Sequence, residues 1–290
     1  MTLRDHIKNA REKGIAVGHF NACTADGIWA IADAALEMKL PVIVGASEGE
    51  RDYIGVRQIA SIIKSIKEER NQDIFLNADH TYSFERVKEA IDAGFDSVIF
   101  DGAQLSIEEN ISMTKKCVEY ARSVSSSSGR DIIVEGELGF IGTSSKMLNE
   151  IPLGAITKDE QMTTDDDAKK FVEATGVDML APAVGNIHGM VRGGDPSLNI
   201  ERVRSIGDAV GIPLVLHGAS GNSASDIQNA IKAGVAVVHV NTELRLAYRA
   251  GLMKSLSDNI EEVSAYKYLK PAKLAMQKVV MEKLRIFSFQ

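Results

Sequence analysis

Ile74-Phe75-Leu76-Asn77-Ala78-Asp79-His80 is an apolar run that ends in an acid and a histidine. An amphipathic segment, Phe84–Ala93, follows it, then Gly94, then a second apolar run, Ser97–Phe100. A short β-rich run, a helix-periodic segment closed by glycine and another short run make one strand–helix–strand unit. Strands joined through a helix pair in parallel, by a right-handed crossover. Outward from this stretch the same unit recurs. Candidate strands lie at Ile15–Phe20, Pro41–Gly45, Ile74–Asn77, Ser97–Phe100, Ile132–Glu135, Met179–Ala183, Pro213–Leu216 and Ala236–Val240, eight in all. Amphipathic segments separate them at Gly27–Met38, Val56–Glu69, Phe84–Ala93, Ile107–Val124, Asp166–Thr175, Ile200–Val210 and Ala224–Ala233, and Glu243–Leu256 follows the last strand. Glycines at 94, 176, 211 and 234 close four of these helical runs. Eight units within about 250 residues predict a closed (β/α)8 TIM barrel, an α/β fold. A doubly wound open sheet fits less well, because no GxGxxG follows the first strand. The expectation is one domain over residues 1–290. The stretch from Tyr266 to Gln290 adds a helical segment that packs beneath the barrel or on a partner subunit.

The bulk numbers exclude several classes. Of 290 residues, 44% are apolar and 25% charged, which are ordinary globular values. A net charge of −7 argues against nucleic-acid and membrane-surface binding. It leaves room for a small anionic substrate, since a few backbone N–H groups hold a phosphate locally. No apolar run is long enough to span a membrane, and the N-terminus lacks the pattern of a secretory signal. The two cysteines, Cys23 and Cys117, lie far apart and fit a reducing compartment, so the expected location is cytoplasmic.

Three of the six histidines, His80, His188 and His217, follow predicted strands three, six and seven. Barrels of parallel strands do their chemistry at that end. Three neutral imidazoles converging there make an open metal site, with a fourth position for water or substrate. A single strand-end histidine is more often a hydrogen-bonded core residue; three on one face fit that account poorly. His6 reads as incidental and His19 as a structural residue of strand one. Asp79 and His80 would face opposite ways on a regular strand, so the chain must turn there for both to reach the mouth. Asp79 is then a general acid or base, or a partner that orients a histidine. Asp101, Glu135 and Glu137 add carboxylates to the same rim, for proton transfer, for orienting histidines or for holding a monovalent cation.

Glycines follow two of the histidines, in His188-Gly189 and His217-Gly218-Ala219-Ser220-Gly221. Small residues let a phosphate approach the backbone, although a tight turn also selects glycine. The loops after strands seven and eight are where barrels hold phosphates, and strand eight ends in His239-Val240-Asn241-Thr242. Two long glycine-bearing loops, Gly139–Thr164 and Gly185–Asn199, read as active-site lids or as disordered segments.

Taken together, Asn77-Ala78-Asp79-His80, Phe100-Asp101-Gly102, Val134-Glu135-Gly136-Glu137-Leu138-Gly139, Gly185-Asn186-Ile187-His188-Gly189 and Leu216-His217-Gly218-Ala219-Ser220 resemble the class II, zinc-dependent ketose-bisphosphate aldolases. The resemblance runs from Gly18 to Arg245. It implies zinc, or another divalent ion, on His80, His188 and His217. It implies that Asp79 moves the C4 hydroxyl proton of the sugar and that Glu137 acts close to the metal. A triose phosphate would lie on Gly189, Gly218, Ala219 and Ser220 and on His239, Val240, Asn241 and Thr242, with Asn21 and Ser47 lining the same pocket. Arg245 is the candidate for a distal phosphate, with a surface helix charge as the alternative. The family also implies a homodimer or homotetramer acting on a small sugar bisphosphate. The implied reaction is reversible cleavage of fructose 1,6-bisphosphate to dihydroxyacetone phosphate and glyceraldehyde 3-phosphate, with tagatose 1,6-bisphosphate as the alternative substrate.

One observation favours the metal route without the resemblance: no predicted strand holds a lysine for a Schiff base. Two departures stand against the family pattern. The stretch Gly139–Lys146 has serines where many members carry a glutamate that exchanges the triose proton; Glu150, Glu137 or a metal-activated water are the substitutes. His239 stands where an asparagine is usual. A metal-dependent hydrolase on the same barrel would favour His-x-His on strand one, which is missing. A silent binding barrel would not need the intact histidine set.

Overall fold

The eight apolar runs pair with one another in the order in which they occur. In the computed structural model, which describes residues 1–143 and 145–290, the strands are β1 Val17–Asn21, β2 Val42–Ala46, β3 Ile74–Thr81, β4 Ser97–Phe100, β5 Ile133–Leu138, β6 Met147–Leu148, β7 Met179–Pro182, β8 Met190–Val191, β9 Leu214–Leu216 and β10 Val235–Val240. β1, β2, β3, β4, β5, β7, β9 and β10 form a closed barrel of parallel neighbours, β10 pairing back onto β1. β6 and β8 form a separate two-stranded sheet that ties the two long loops together. The helices are α1 Leu3–Lys13, α2 Ala25–Met38, α3 Glu48–Ile54, α4 Val56–Arg70, α5 Phe84–Ala93, α6 Ile107–Ser128, α7 Asp165–Thr175, α8 Ile200–Val210, α9 Ala224–Lys232, α10 Thr242–Asp258, α11 Ala265–Tyr268 and α12 Lys270–Ser288. Thr24, Ser83, Thr164, Asn199 and Ser223 each cap a helix N-terminus with a side-chain oxygen, which is why these helices begin where they do.

Strand alternation divides the core in two. Phe20, Val42, Val44, Leu76, Val98, Phe100, Val134 and Val240 point outward and pack under the helices. Val17, Ile43, Phe75, Ile133, Met179, Val215 and Val237 point into the barrel, where Leu3, Ile7 and Ala10 of α1 plug the N-terminal end. Side chains two residues on from these inward positions continue up the interior. That parity lifts His19, Asn77, Glu135, His217 and His239 into the upper half of the barrel.

The C-terminal segment lies neither beneath the barrel nor apart from it. α12 packs on the wall against α2, α9, α10 and β1. The Ala16 N–H donates to the Phe287 carbonyl at 3.0 Å, and the Phe287 ring stacks on Phe20 at 6.2 Å. α12 thus covers the seam at β1, with α10 packed against it. α1 and α3 are additional to the sequence expectation. Among the described residues, no helix is long and apolar enough to cross a membrane.

Candidate active site

β3 and the segments that follow β7 and β9 aim three imidazoles at one point. His80, His188 and His217 each offer a ring nitrogen, and these atoms lie within 4.8 Å of one another. Nε2 of His80 is 3.2 Å from Nδ1 of His217. Their outer nitrogens are already engaged. His80 Nδ1 lies 2.9 Å from Asp101 Oδ2, and His217 Nε2 lies 2.7 Å from Glu135 Oε1. His188 Nε2 is buried with no hydrogen-bond partner. Carboxylates behind the imidazoles and free nitrogens in front are the arrangement that suits a divalent ion.

His80 reaches this point through an irregularity. The β3–β4 register jumps between Ala78 and Thr81, and His80 has a φ of 24°. The break lets Asp79 and His80 face the cleft together, as the sequence required. Asn21 Nδ2 donates to Asp79 Oδ2 at 2.8 Å. Asp79 Oδ1 is buried and has no hydrogen-bond partner; His239 Nδ1 stands 3.5 Å away.

A cleft of about 280 Å³ opens above this centre, lined by Ser47, Asp79, His80, Tyr82, His188, Asn241 and Arg245 and by Gly142, Thr143 and Ser145 of the long loop. Gly189, Gly218, Ser220, His239 and Thr242 line its inner end with Asn21 and His217. Two residues expected there turn their side chains elsewhere. Val240 follows the outward parity of β10, and Ala219 is buried under the helices, so each can serve a ligand only through its backbone. Glu137 sits behind His80, 3.4 Å from Nδ1, rather than in the open cleft. Glu150 is exposed on the loop. Ser144, within the serine stretch, lies outside the described residues.

The family model described as "Fructose-bisphosphate aldolase class-II" matches residues 1–290. The chain belongs to the class II fructose-bisphosphate aldolase family. A fructose-bisphosphate aldolase of Staphylococcus epidermidis is 36% identical over 290 residues, covering 99% of this chain and 96% of that protein. One of Staphylococcus aureus is 37% identical over the same span. Among solved structures, the YdjI aldolase of Escherichia coli K12 superposes with a TM-score of 0.80 at 30% identity, covering 99% of this chain and 96% of that one. A putative fructose-1,6-biphosphate aldolase of Coccidioides immitis gives 0.81 at 28%, with the same coverage. The chain is therefore an aldolase, a carbon–carbon lyase on a TIM barrel, and its class depends on zinc.

The electrostatics of this aldolase centre follow from burial and from the close packing of acids and bases. Burial lowers His188 well below the usual imidazole range and brings His217 down to about 3, so both stay neutral, which is the form that binds metal. Burial would raise Asp79, but the neighbouring imidazoles of His80, His239 and His19 hold it well below the usual carboxylate range. It is therefore ionised and able to accept a proton. Burial pushes Glu135 and Glu137 up to about 8.

Sequence pattern alone does not single out three further participants. His19, expected to be merely structural, stacks face to face on His239, with centroids 3.5 Å apart and planes 4° apart, and its Nε2 lies 3.1 Å from Asn77 Oδ1. Two parallel rings this close cannot aim in-plane lone pairs at one ion, so they do not form a second metal site. Glu50 takes hydrogen bonds from Asn21 Nδ2 and from the Ser47 N–H and hydroxyl, each 2.9 Å, and its other oxygen pairs with Arg245 at 2.6 Å. Ser47-x-x-Glu50 is a capping-box spacing, the one sequence signal that could have found it. Arg51 is wholly buried.

Proposed function

We propose that residues 1–290 act as one catalytic domain that reversibly cleaves fructose 1,6-bisphosphate to dihydroxyacetone phosphate and glyceraldehyde 3-phosphate. His80, His188 and His217 would hold one zinc or other divalent ion. The observation that carries this reading is the convergence of three imidazole nitrogens within 4.8 Å beside an ionised, half-unsatisfied Asp79. A divalent ion held there supplies Lewis-acid stabilisation of the charge that carbon–carbon cleavage leaves on the ketone half.

The chain's own groups do the rest. Asp79 takes the proton from the C4 hydroxyl as the C3–C4 bond breaks, and returns it in the condensation direction. Oδ1 is the oxygen for that task, because Asn21 already occupies Oδ2. Asp101 and Glu135 fix the rotation of His80 and His217 by accepting from their outer nitrogens. Backbone at Gly189, Gly218–Ser220 and Asn241–Thr242 cradles the triose phosphate, and the last pair opens α10, whose N-terminal N–H groups attract an anion. His239 and Ser220 line the same inner end. Arg245, tethered to Glu50 at the cleft rim, serves the distal phosphate. We further read the protein as a cytoplasmic homo-oligomer. Two unpaired cysteines support the first part; the exposed Ile260, Val263 and Tyr266 support the second.

The test is a coupled assay for triose phosphates with fructose 1,6-bisphosphate and, in parallel, tagatose 1,6-bisphosphate. Metal-loaded protein should turn over the fructose sugar faster and stop when EDTA is added. Activity that survives EDTA, with borohydride trapping a substrate adduct, would overturn the metal route. Triose release from neither sugar would overturn the substrate assignment.

A further inference from the structure

Arg51 of α3 is the largest side chain in the protein with no exposed surface. Its Nη1 donates to the Ala46 carbonyl at 2.6 Å and to the Asp79 carbonyl at 3.0 Å, and its Nη2 donates to the Thr81 hydroxyl at 3.0 Å. All three acceptors are neutral oxygens, and Nε is buried without a partner. Burying a guanidinium on neutral acceptors is expensive, and an apolar side chain of similar volume would fill the same space at lower cost. General stability therefore does not account for this residue.

The positions of the three acceptors do. Ala46 ends β2. Asp79 and Thr81 bracket the place where β3 loses register with β4 and where His80 takes a positive φ. A non-glycine residue leaves ordinary strand geometry in this way only when its surroundings hold it there. The planar fork of an arginine can bind several oxygens in a fixed geometry, which a lysine ammonium cannot copy. We propose that Arg51 is a positioning residue for Asp79 and His80: its guanidinium clamps the turn to the end of β2 and so points a base and a metal ligand into one cleft. This rests on the roles proposed above for those two residues.

The test uses the full chain as wild type, Arg51→Lys and Thr81→Val. The second substitution keeps the buried shape and removes one acceptor. Each protein is loaded with Co2+ and its visible spectrum is recorded without sugar phosphate; thermal midpoint, kcat and KM are measured as well. Misplacement of Asp79 and His80 predicts a shifted cobalt spectrum in both variants. For Arg51→Lys it predicts a kcat lower by about 100-fold with KM little changed. A purely structural role would lower the thermal midpoint while the folded variants keep wild-type spectra and kcat, and that result overturns the proposal. If Arg51→Lys does not fold, Thr81→Val decides by the same two readouts. Should the wild type release no triose phosphate, the assigned reaction fails, while the cobalt spectra still decide the role of Arg51.

Discussion

Asp79 combines a satisfied oxygen, an unsatisfied one and a lowered pKa in one buried side chain. Replacing it with alanine removes the proposed base and leaves the three imidazoles in place. Asp79→Ala should lose about 10²–10⁴-fold in kcat, the usual range for a positioned acid–base group, while still holding one divalent ion per chain. Paired metal analysis and coupled assay check both halves, and turnover at the wild-type rate would remove Asp79 from the proton transfer. Asp79, His80, His188 and His217 were legible in the sequence because each ends an apolar run and carries distinctive chemistry. His19 was legible in principle: two residues from inward-facing Val17, it must itself face inward, next to His239. Arg51 carried no such signal. A charged residue on a short helix normally faces water, and only the three-dimensional position of β3 shows why this one does not.

At the level of elements, the turns that follow strands set the walls of the cleft. Gly218 closes β9 with a φ of +64°, and a Cβ there would come within 2.1 Å of the Ile187 carbonyl oxygen. Gly218→Ala must therefore displace the segment before His188 or distort its own turn. The expected cost is about 1–3 kcal/mol of stability, with a raised KM for the sugar phosphate. Urea unfolding and steady-state kinetics measure the two effects; a variant matching wild type in both would show that the turn tolerates a side chain. The strands themselves were readable from apolar runs, because burial on both faces leaves little alternative. Their ends were less so. β3 continues past Asn77 to Thr81 through an irregular residue, and α6 runs on past Val124 to Ser128. The place of α12 could not be read either, because helical periodicity tells which face is buried but not against what.

The molecule as a whole carries an electrostatic load at its centre that a metal-free sample should reveal. Glu135 and Glu137 stand at about 8, above their ordinary 4.5, because burial opposes their ionisation. The folded chain therefore keeps protons that the unfolded chain has released. The stability this confers is complete below 4.5 and lost as pH rises through about 8. Four buried imidazoles, His19, His188, His217 and His239, are lowered from 6.5 and act in the opposite sense, but only below that value. Between about pH 6.5 and pH 8 the carboxyls prevail together with His80, which Asp79 and Glu137 raise well above 6.5 despite its burial, so the urea midpoint of EDTA-stripped protein should fall over that interval. A midpoint that is flat or rising there would mean that the two carboxyls are already ionised in the metal-free fold.

The seam covered by α12 also bears on how the protein is made. Phe287 packs on Phe20 and accepts the Ala16 amide, so residues more than 260 positions apart in the chain meet beside the first strand. A nascent chain can lay down β1 to β9 in order, but the wall beside β1 stays uncovered until α12 has been made. An early-exposed β1 surface must be shielded, by chaperone or by speed, until its partner arrives.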